Sequence, residues 1–283
     1  MIVASIDSMS RALRTASMYS PVRSLRTFAF VATLTPLLFA VAQKSSAVPM
    51  NYGTFVGNTV TYVDVTEDSN SGDPLPLFGA PTVSGDSLDF NPVGFSATSM
   101  GVGSDITDAN LAFMVTANPG FAISNFNLSE AGDTTLAGFG SDTTFTSVTA
   151  DGVLNINEVD GMGINTLSIP IALSFVPSGG GFGLLTDGGG GPFYHTQWTG
   201  SLFVDIHAEL AANNVPFTFG ATKISINLDN TLTAVSEAGT QSLIAKKDFG
   251  GVSFTVNIPE PGTMTLVGFA LVGLVIGGRR QSR

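Results

Sequence analysis

The sequence contains no cysteine and few charged residues, and each deficit excludes a class of protein. Without cysteine there is no disulfide scaffold and no cysteine-ligated zinc site. Only 12% of the 283 residues are charged, and 11 Lys and Arg stand against 22 Asp and Glu. A nucleic-acid-binding surface needs a basic patch, so this composition excludes nucleic acid as a partner. Mean hydropathy is +0.33, which is too apolar for a disordered acidic chain.

The basic residues are concentrated at the two ends of the chain. Five lie before residue 48 and three lie among the last five residues. The segment 48–261 therefore keeps three lysines against 21 acidic residues, a formal charge of −18. These three are Lys223, Lys246 and Lys247. An acidic body thus lies between two basic, apolar ends.

The N-terminal end has the parts of a secretory signal peptide. Residues 27–42 are uncharged, with a basic segment before them and small residues after them. The basic residues are Arg23 and Arg26. The small residues form two candidate cleavage patterns, one with Ala40 and Ala42 and one ending at Ala47. We predict a signal peptide over 1–47 that engages the Sec translocon, and initiation at Met18 would give it an ordinary length. The alternative is a buried core helix, against which Pro36 argues.

The C-terminal end has a short apolar run before a basic cluster. Residues 263–278 are 16 residues without charge, which would span ~24 Å as a helix. A bilayer hydrocarbon core is about 30 Å thick, so we predict a marginal transmembrane helix. The arginines after it should stay in the cytoplasm, with the acidic body on the other side. These residues are Arg279, Arg280 and Arg283.

This tail resembles the PEP-CTERM sorting signal of Gram-negative bacteria. The resemblance rests on Pro259-Glu260-Pro261, the apolar run and the closing arginines, and it covers only residues 258–283. It implies recognition by an exosortase, a membrane cysteine transpeptidase, with cleavage near the Pro-Glu-Pro tripeptide. It also implies a precursor held transiently in the inner membrane, a mature protein at the cell surface, and a host that makes exopolysaccharide or biofilm. An anchor that is never cut is the alternative.

The body, 48–257, has the composition and periodicity of strands. It is rich in Thr, Ser, Gly, Asn, Val and Phe, and several runs alternate apolar and polar residues. The predicted strands are 60–65, 111–117, 143–150, 169–176, 201–210, 223–228 and 252–256. The predicted turns are Asn118-Pro119-Gly120, Asp151-Gly152, Asp160-Gly161 and Ala238-Gly239. Many short strands indicate an all-β, antiparallel sandwich or jelly roll.

A glycine-rich segment interrupts the body. Residues 179–191 contain eight glycines, which predicts a flexible loop or a loop of unusual backbone shape. It could separate two lobes or lie on the surface of one sandwich. We favour one sandwich because the strand patterns on its two sides are alike.

Candidate calcium ligands do not form an EF-hand. In Asp151–Gly163, Val153, Ile156 and Met162 occupy positions that an EF-hand reserves for oxygen ligands and glycine. We interpret this stretch as a strand between two Asp-Gly turns. The densest acidic group is Asp64, Glu67, Asp68 and Asp73, which we interpret as a solvated loop with a looser Ca²⁺ site as the alternative. No cofactor is therefore predicted.

The remaining candidates for chemistry are histidines and aromatic residues. His207 is predicted to share a strand face with Glu209, but with His195 as the only other histidine and no cysteine, we predict no metal site. No nucleophile elbow or phosphate loop is present, so we predict a non-enzymatic, exported component of the cell surface or exopolysaccharide matrix. The alternative is a carbohydrate-binding module, with Ca²⁺ assistance, that uses Tyr194 and Trp198. Trp198 as a core residue is the interpretation we favour.

Overall fold

The computed structural model describes residues 48–247 and, as backbone, 252–257, and this part of the chain is mostly extended. Its strands are β1 (Met50–Val56), β2 (Val60–Asp68), β3 (Thr82–Ser84), β4 (Ser87–Phe90), β5 (Ser96–Met100), β6 (Gly103–Ala117), β7 (Asn125–Ala137), β8 (Phe145–Val159), β9 (Met162–Ala172), β10 (Ser174–Val176), β11 (Gly181–Gly183), β12 (Phe193–Asp205), β13 (Ala221–Ser236), β14 (Gln241–Lys246) and β15 (Val252–Asn257). One α-helix, α1 (Ile206–Ala212), and a 3-10 turn at Ser178–Gly180 complete the described elements. The predicted signal peptide and transmembrane tail lie outside the described residues.

The strands form two antiparallel sheets. The first sheet, sheet A, has the order β1-β2-β6-β13-β8-β11, and β9 also pairs with β8. The second, sheet B, has the order β10-β12-β7-β15-β4-β3, and β14 pairs with both β7 and β5. The long strands β13 and β7 are central, and β12 follows β7 in unbroken register from Phe193↔Ala137 to Asp205↔Asn125. The predicted all-β, antiparallel class is confirmed.

One hydrophobic core lies against both sheets. Along β13, alternate side chains are buried, as period-two strand geometry requires. Leu228 and Leu232 from sheet A and Leu128 and Ile244 from sheet B belong to the same buried cluster. Residues before and after the glycine-rich segment contribute to it, so the two sides of that segment share a core.

The predicted strand 201–210 is wrong in its second half. The chain leaves β12 at Asp205 and forms α1, whose first turn Asp205 caps by accepting a hydrogen bond from the Ala208 backbone N–H at 2.9 Å. Ile206 and Leu210 are both buried. Residues four apart share a face in a helix and also in a strand, so this apolar pair could not distinguish the two.

The two Asp-Gly pairs have different roles. Asp160-Gly161 forms the predicted turn between β8 and β9, with positive φ at both residues. The predicted turn at Asp151-Gly152 is wrong, because this pair lies inside β8. A Cβ atom on Gly152 would lie 2.0 Å from the Asn227 backbone O. Glycine is therefore required here by the close approach of β13 and not by a turn.

The predicted strand 169–176 is divided at Leu173. Residues up to Ala172 pair in sheet A as β9, and Ser174–Val176 pairs in sheet B as β10. The backbone N–H of Leu173 donates to the Ala150 O at 2.9 Å. The chain thus passes from one sheet to the other at a single buried residue, as occurs at sandwich corners.

The glycine-rich segment is folded against sheet A. Gly181–Gly183 pairs with β8 as β11, and Phe182 and Leu184 are buried. Positive φ values at Gly179, Gly180 and Gly189–Gly191 give the segment an unusual backbone shape, which is the second of the two predicted loop types.

The Trp198 side chain packs over Gly132 of β7, where any larger residue would collide with it. It lies directly opposite Gly132 in the β12–β7 register and is 1% exposed. A Cβ atom on Gly132 would lie 2.3 Å from Trp198 Cζ2 and 2.1 Å from the Ala245 backbone O. The Trp198 ring also meets Phe175 edge-on, with centroids 5.8 Å apart.

We expect Gly132→Ala to lower the free energy of unfolding by about 3 kcal/mol, because overpacking forces the indole and β14 to move. Thermal unfolding followed by tryptophan fluorescence measures it. Gly163→Ala is the matched control, since Gly163 lies in β9 and a Cβ atom added there would have no neighbouring atom within 4 Å. Equal melting temperatures for the two variants would contradict the packing argument.

Candidate functional site

The predicted sugar-contact residues do not form an exposed platform. Trp198 is buried, which corrects the alternative in which its ring stacks on a sugar and agrees with the core interpretation. Tyr194 lies four residues earlier on the same side of β12, is half-buried and packs against the core. Desolvation and the nearby Asp187 raise the pKa of the Tyr194 hydroxyl. A glycan contact at Tyr194 stays a prediction, but the buried Trp198 ring cannot contribute to it.

The two histidines lie on different elements and have separate partners. His195, on β12, lies 3.0 Å through Nδ1 from Thr135 Oγ1. His207 lies on α1, where Nε2 is 3.0 Å from the Phe219 backbone O and the ring stacks on Phe217. The predicted strand face shared by His207 and Glu209 is wrong, because residues two apart on a helix point to different sides.

The acidic group predicted as a solvated loop contains a buried residue. Glu67 is fully buried in β2, where Oε1 accepts hydrogen bonds from the backbone N–H groups of Leu77 and Phe78 at 2.5 and 2.9 Å. Its Oε2 accepts the hydroxyl of Tyr52. Burial and this contact raise the pKa of Tyr52 far above its usual range. Glu67 therefore holds the 75–78 segment onto the core, which corrects the solvated interpretation for this residue.

The other members of that acidic group make local contacts. Asp64 is exposed, Asp68 accepts the Ser69 backbone N–H at 2.8 Å, and Asp73 accepts Ser71 Oγ at 2.6 Å. Among the described residues, no group of three or more His, Asp or Glu side chains is arranged to hold a metal ion. Ca²⁺ binding stays a prediction.

A row of carboxylates, the acidic row, crosses the middle of sheet A. It consists of Asp108 on β6, Asp229 on β13 and Asp151 on β8, and Asp229 lies directly opposite Asp151. Asp229 is half-buried. The pKa of Asp229 is raised to about 6, mainly by desolvation. The charge and hydrogen bond of Asp108 and the charge of Asp151 raise it further.

A surface cleft of about 640 Å³ opens beside the β6–β7 turn. Five of its lining residues carry aromatic or ionisable groups: Phe121, Glu158, Asp160, His207 and Phe219. Phe219 is 67% exposed. Sequence reasoning missed this cleft, because its lining comes from four separate segments and the Phe217–Phe219 pair carried no recognised motif.

The two carboxylates of the cleft are engaged within the protein. Asp160 accepts backbone N–H groups of Thr218, Phe219 and Gly220 at 2.6, 2.8 and 3.1 Å. Desolvation raises its pKa, but these three donors outweigh that effect and hold the pKa of Asp160 below its usual value. Glu158 forms an ion pair with Lys223. Asp160 thereby fixes the segment that presents the Phe219 ring.

A second cluster, the buried polar cluster, lies inside the core. Lys246 Nζ donates to Glu130 Oε2 at 2.5 Å and to Asn230 Oδ1 at 2.8 Å. All three residues are at most 2% exposed. The ring centroids of Phe95 and Trp198 lie 5.2 and 5.5 Å from Nζ. Sequence reasoning missed this cluster. Its trace in the sequence is a charged or amide residue at a position where the alternation of a strand would place an apolar side chain.

No helix among the described residues has the length and apolar character needed to cross a membrane.

We expect Asp229→Asn to stabilise the protein at neutral pH and not at acid pH. The folded-state pKa of Asp229 is raised to about 6, so its ionisation disfavours the fold. This cost is absent below about pH 4, where both states are protonated, grows between about pH 4 and pH 6, and is complete above about pH 6. With solvent screening, the gain at pH 8 should be about 1 kcal/mol, or a few degrees in Tm.

Melting temperatures at pH 4 and pH 8 test this expectation. Asp64→Asn is the matched control, because it makes the same charge change at an exposed aspartate. A gain for Asp229→Asn that is equal at both pH values would contradict the argument from the acidic row.

Comparison with known proteins gives one specific match, at the C-terminus. Residues 257–281 match the PEP-CTERM protein-sorting motif. No curated protein matches the chain. Among solved structures, the enzymatically active domain of bacteriophage CBA120 tailspike protein 4 is 12% identical over 76% of this chain, with a TM-score of 0.20. An infectious bursal disease virus Gt strain structure is 10% identical over 77% of this chain, with a TM-score of 0.11.

The chain spans 20% of the tailspike chain and 60% of the viral chain, and at these TM-scores neither likeness defines a shared fold or activity. The sorting-motif match is independent of them and contains both Pro259-Glu260-Pro261 and Arg279-Arg280. The chain therefore carries a PEP-CTERM protein-sorting motif at residues 257–281.

Proposed function

We propose that the protein is a non-catalytic structural component of the cell surface or exopolysaccharide matrix. The sorting motif marks it as an exported protein handled by an exosortase. The observation that carries the proposal is the position of the motif, which begins at Asn257, the last residue of β15. Membrane retention and release would thus act on the folded sandwich through β15, the last strand of its described part.

The charge of the body supports a role among anionic polymers. Each of its three lysines is paired with a carboxylate: Lys223 with Glu158, Lys246 with Glu130, and Lys247 with Asp133 at 3.7 Å. The remaining acidic residues leave the surface almost entirely of one sign. Such a surface repels anionic glycans directly, so we propose that divalent counterions bridge the two.

Carbohydrate binding is the second candidate, and the cleft favours it. An exposed Phe219 ring stands beside polar groups in a cleft large enough for a sugar ring. Aromatic rings bind the apolar faces of sugars by contact and stacking. This candidate places the contact at Phe219 instead of at Trp198.

Replacing Pro259-Glu260-Pro261 by three alanines should leave the protein in the membrane fraction, because the exosortase would lose its recognition tripeptide. Cell fractionation with terminal sequencing of the mature protein measures this and also reports whether the N-terminus follows Ala42 or Ala47. The matched control replaces residues 263–265 by alanines. Unchanged release of the tripeptide variant would disprove the sorting role.

Phe219→Ala should weaken glycan binding at least about tenfold, equivalent to ~1.4 kcal/mol. Glycan-array binding with and without EDTA is the measurement, and loss of binding in EDTA would assign a Ca²⁺ requirement. Phe203→Ala is the matched control, since Phe203 is 61% exposed on β12. Absence of glycan binding by the unaltered protein would leave the structural role as the only candidate.

A further inference from the structure

The buried polar cluster joins the two sheets. Asn230 lies on β13 in sheet A, whereas Glu130 on β7 and Lys246 on β14 belong to sheet B. The three side chains take inward positions that alternation would otherwise give to core residues such as Leu228 and Leu232. An amine, an amide and a carboxylate are thereby held together without solvent.

Two atoms of this cluster, Glu130 Oε1 and Asn230 Nδ2, have no hydrogen-bond partner among the described residues. The same holds for Nε1 of the neighbouring Trp198. A buried polar atom without a partner destabilises the fold, because it loses its hydrogen bonds to water and gains none in return. Such groups are rare in native proteins and call for an explanation. One explanation is that the groups react with each other.

We propose that Lys246 and Asn230 form an intramolecular amide bond between Nζ and Cγ, with Glu130 carrying the protons. The Nζ atom lies 2.8 Å from Oδ1, and Cγ is one bond from that oxygen. Glu130 Oε2 lies 2.5 Å from the same nitrogen. The nucleophile, its electrophile and its base therefore meet in one enclosed site.

The surroundings of Lys246 favour the neutral, nucleophilic amine. Desolvation lowers the pKa of the Lys246 ammonium, against the opposing attraction of Glu130. The rings of Phe95 and Trp198 enclose Nζ and exclude water, which would otherwise compete for the carbonyl. A proton can thus pass from Lys246 to Glu130 inside the core.

The reaction balances without any co-reactant. Glu130 first accepts a proton from the Lys246 ammonium, and the free amine attacks Asn230 Cγ while the carbonyl electron pair moves to Oδ1. Glu130 then gives its proton to Nδ2 and takes one from Nζ. The Cγ–Nδ2 bond breaks, ammonia leaves, and the carbonyl re-forms.

The products are neutral, whereas the reactants include a buried ion pair. One amide N–H, one protonated Glu130 carboxyl and one ammonia molecule replace the ammonium, the carboxylate and the primary amide. Burying paired charges carries a large desolvation cost, which this change removes. The leaving nitrogen is Nδ2, the amide atom that has no partner among the described residues.

Peptide mapping of the full-length purified protein tests the bond. Trypsin should fail to cut after Lys246 and should yield peptide 224–247 lighter than its sequence mass by one ammonia molecule. Further cleavage after Glu237, which lies between the two residues in the sequence, should leave the two fragments joined. Fragments that separate would overturn the proposal. Separated fragments with the loss of one ammonia molecule would also overturn it, because they would indicate a cyclised asparagine.

Variants assign the roles of the three residues. Asn230→Asp should still join the fragments but with loss of one water molecule, and Lys246→Arg should leave them separate. Glu130→Gln should slow joining about a hundredfold, as expected for loss of a proton carrier. Lys223→Arg is the control, because it keeps a trypsin site and should join normally. Normal joining in Glu130→Gln would overturn the role of Glu130, and the unaltered protein tests the bond even if a variant fails to fold.

Discussion

The contact of Lys246 with Glu130 and Asn230 constrains how the two sheets face each other. A sandwich core built only from Leu, Ile, Val and Phe can slide, because apolar contacts have little directional preference. The cluster instead sets distances of 2.5 and 2.8 Å from one nitrogen to a carboxylate in its own sheet and an amide in the facing sheet. Leaving one member of such a pair buried alone would cost about 3–5 kcal/mol, so the neighbouring strands must keep this register.

The packing around the cluster follows from that register. Lys246 lies opposite Gly132 across β14 and β7, and Gly132 leaves the space that Trp198 fills from β12. Trp198 in turn packs on Phe175 of β10. Four strands of sheet B are therefore connected through one indole ring and one missing Cβ atom. The acidic row lies outside this core, where sheet A presents like charges to solvent.

The sequence predicted the fold class well because alternation is a direct result of strand geometry, as in β13 and β2. It failed where one pattern suits two structures. Ile206 and Leu210 fit a strand and a helix equally, and only the cap at Asp205 distinguishes them. Gly152 resembles a turn residue, although the approach of Asn227 on another strand requires it. The cleft was not predictable, because its lining comes from separate segments that meet only in the folded chain. For the buried polar cluster, the pattern of each strand could show an inward polar residue, but not that Glu130 and Lys246 meet.

The position of β15 determines how the protein responds to mechanical force. This strand pairs with β7 from Val252↔Glu130 to Asn257↔Asn125 and with β4 on its other side. While the tail after Asn257 is held by a membrane or an enzyme, tension enters the sandwich along β15. An internal strand pulled along its axis loads its flanking hydrogen bonds together in shear, whereas an edge strand can be peeled away one bond at a time. The sandwich can therefore resist a pull on its attachment point that would unzip a chain ending in an edge strand.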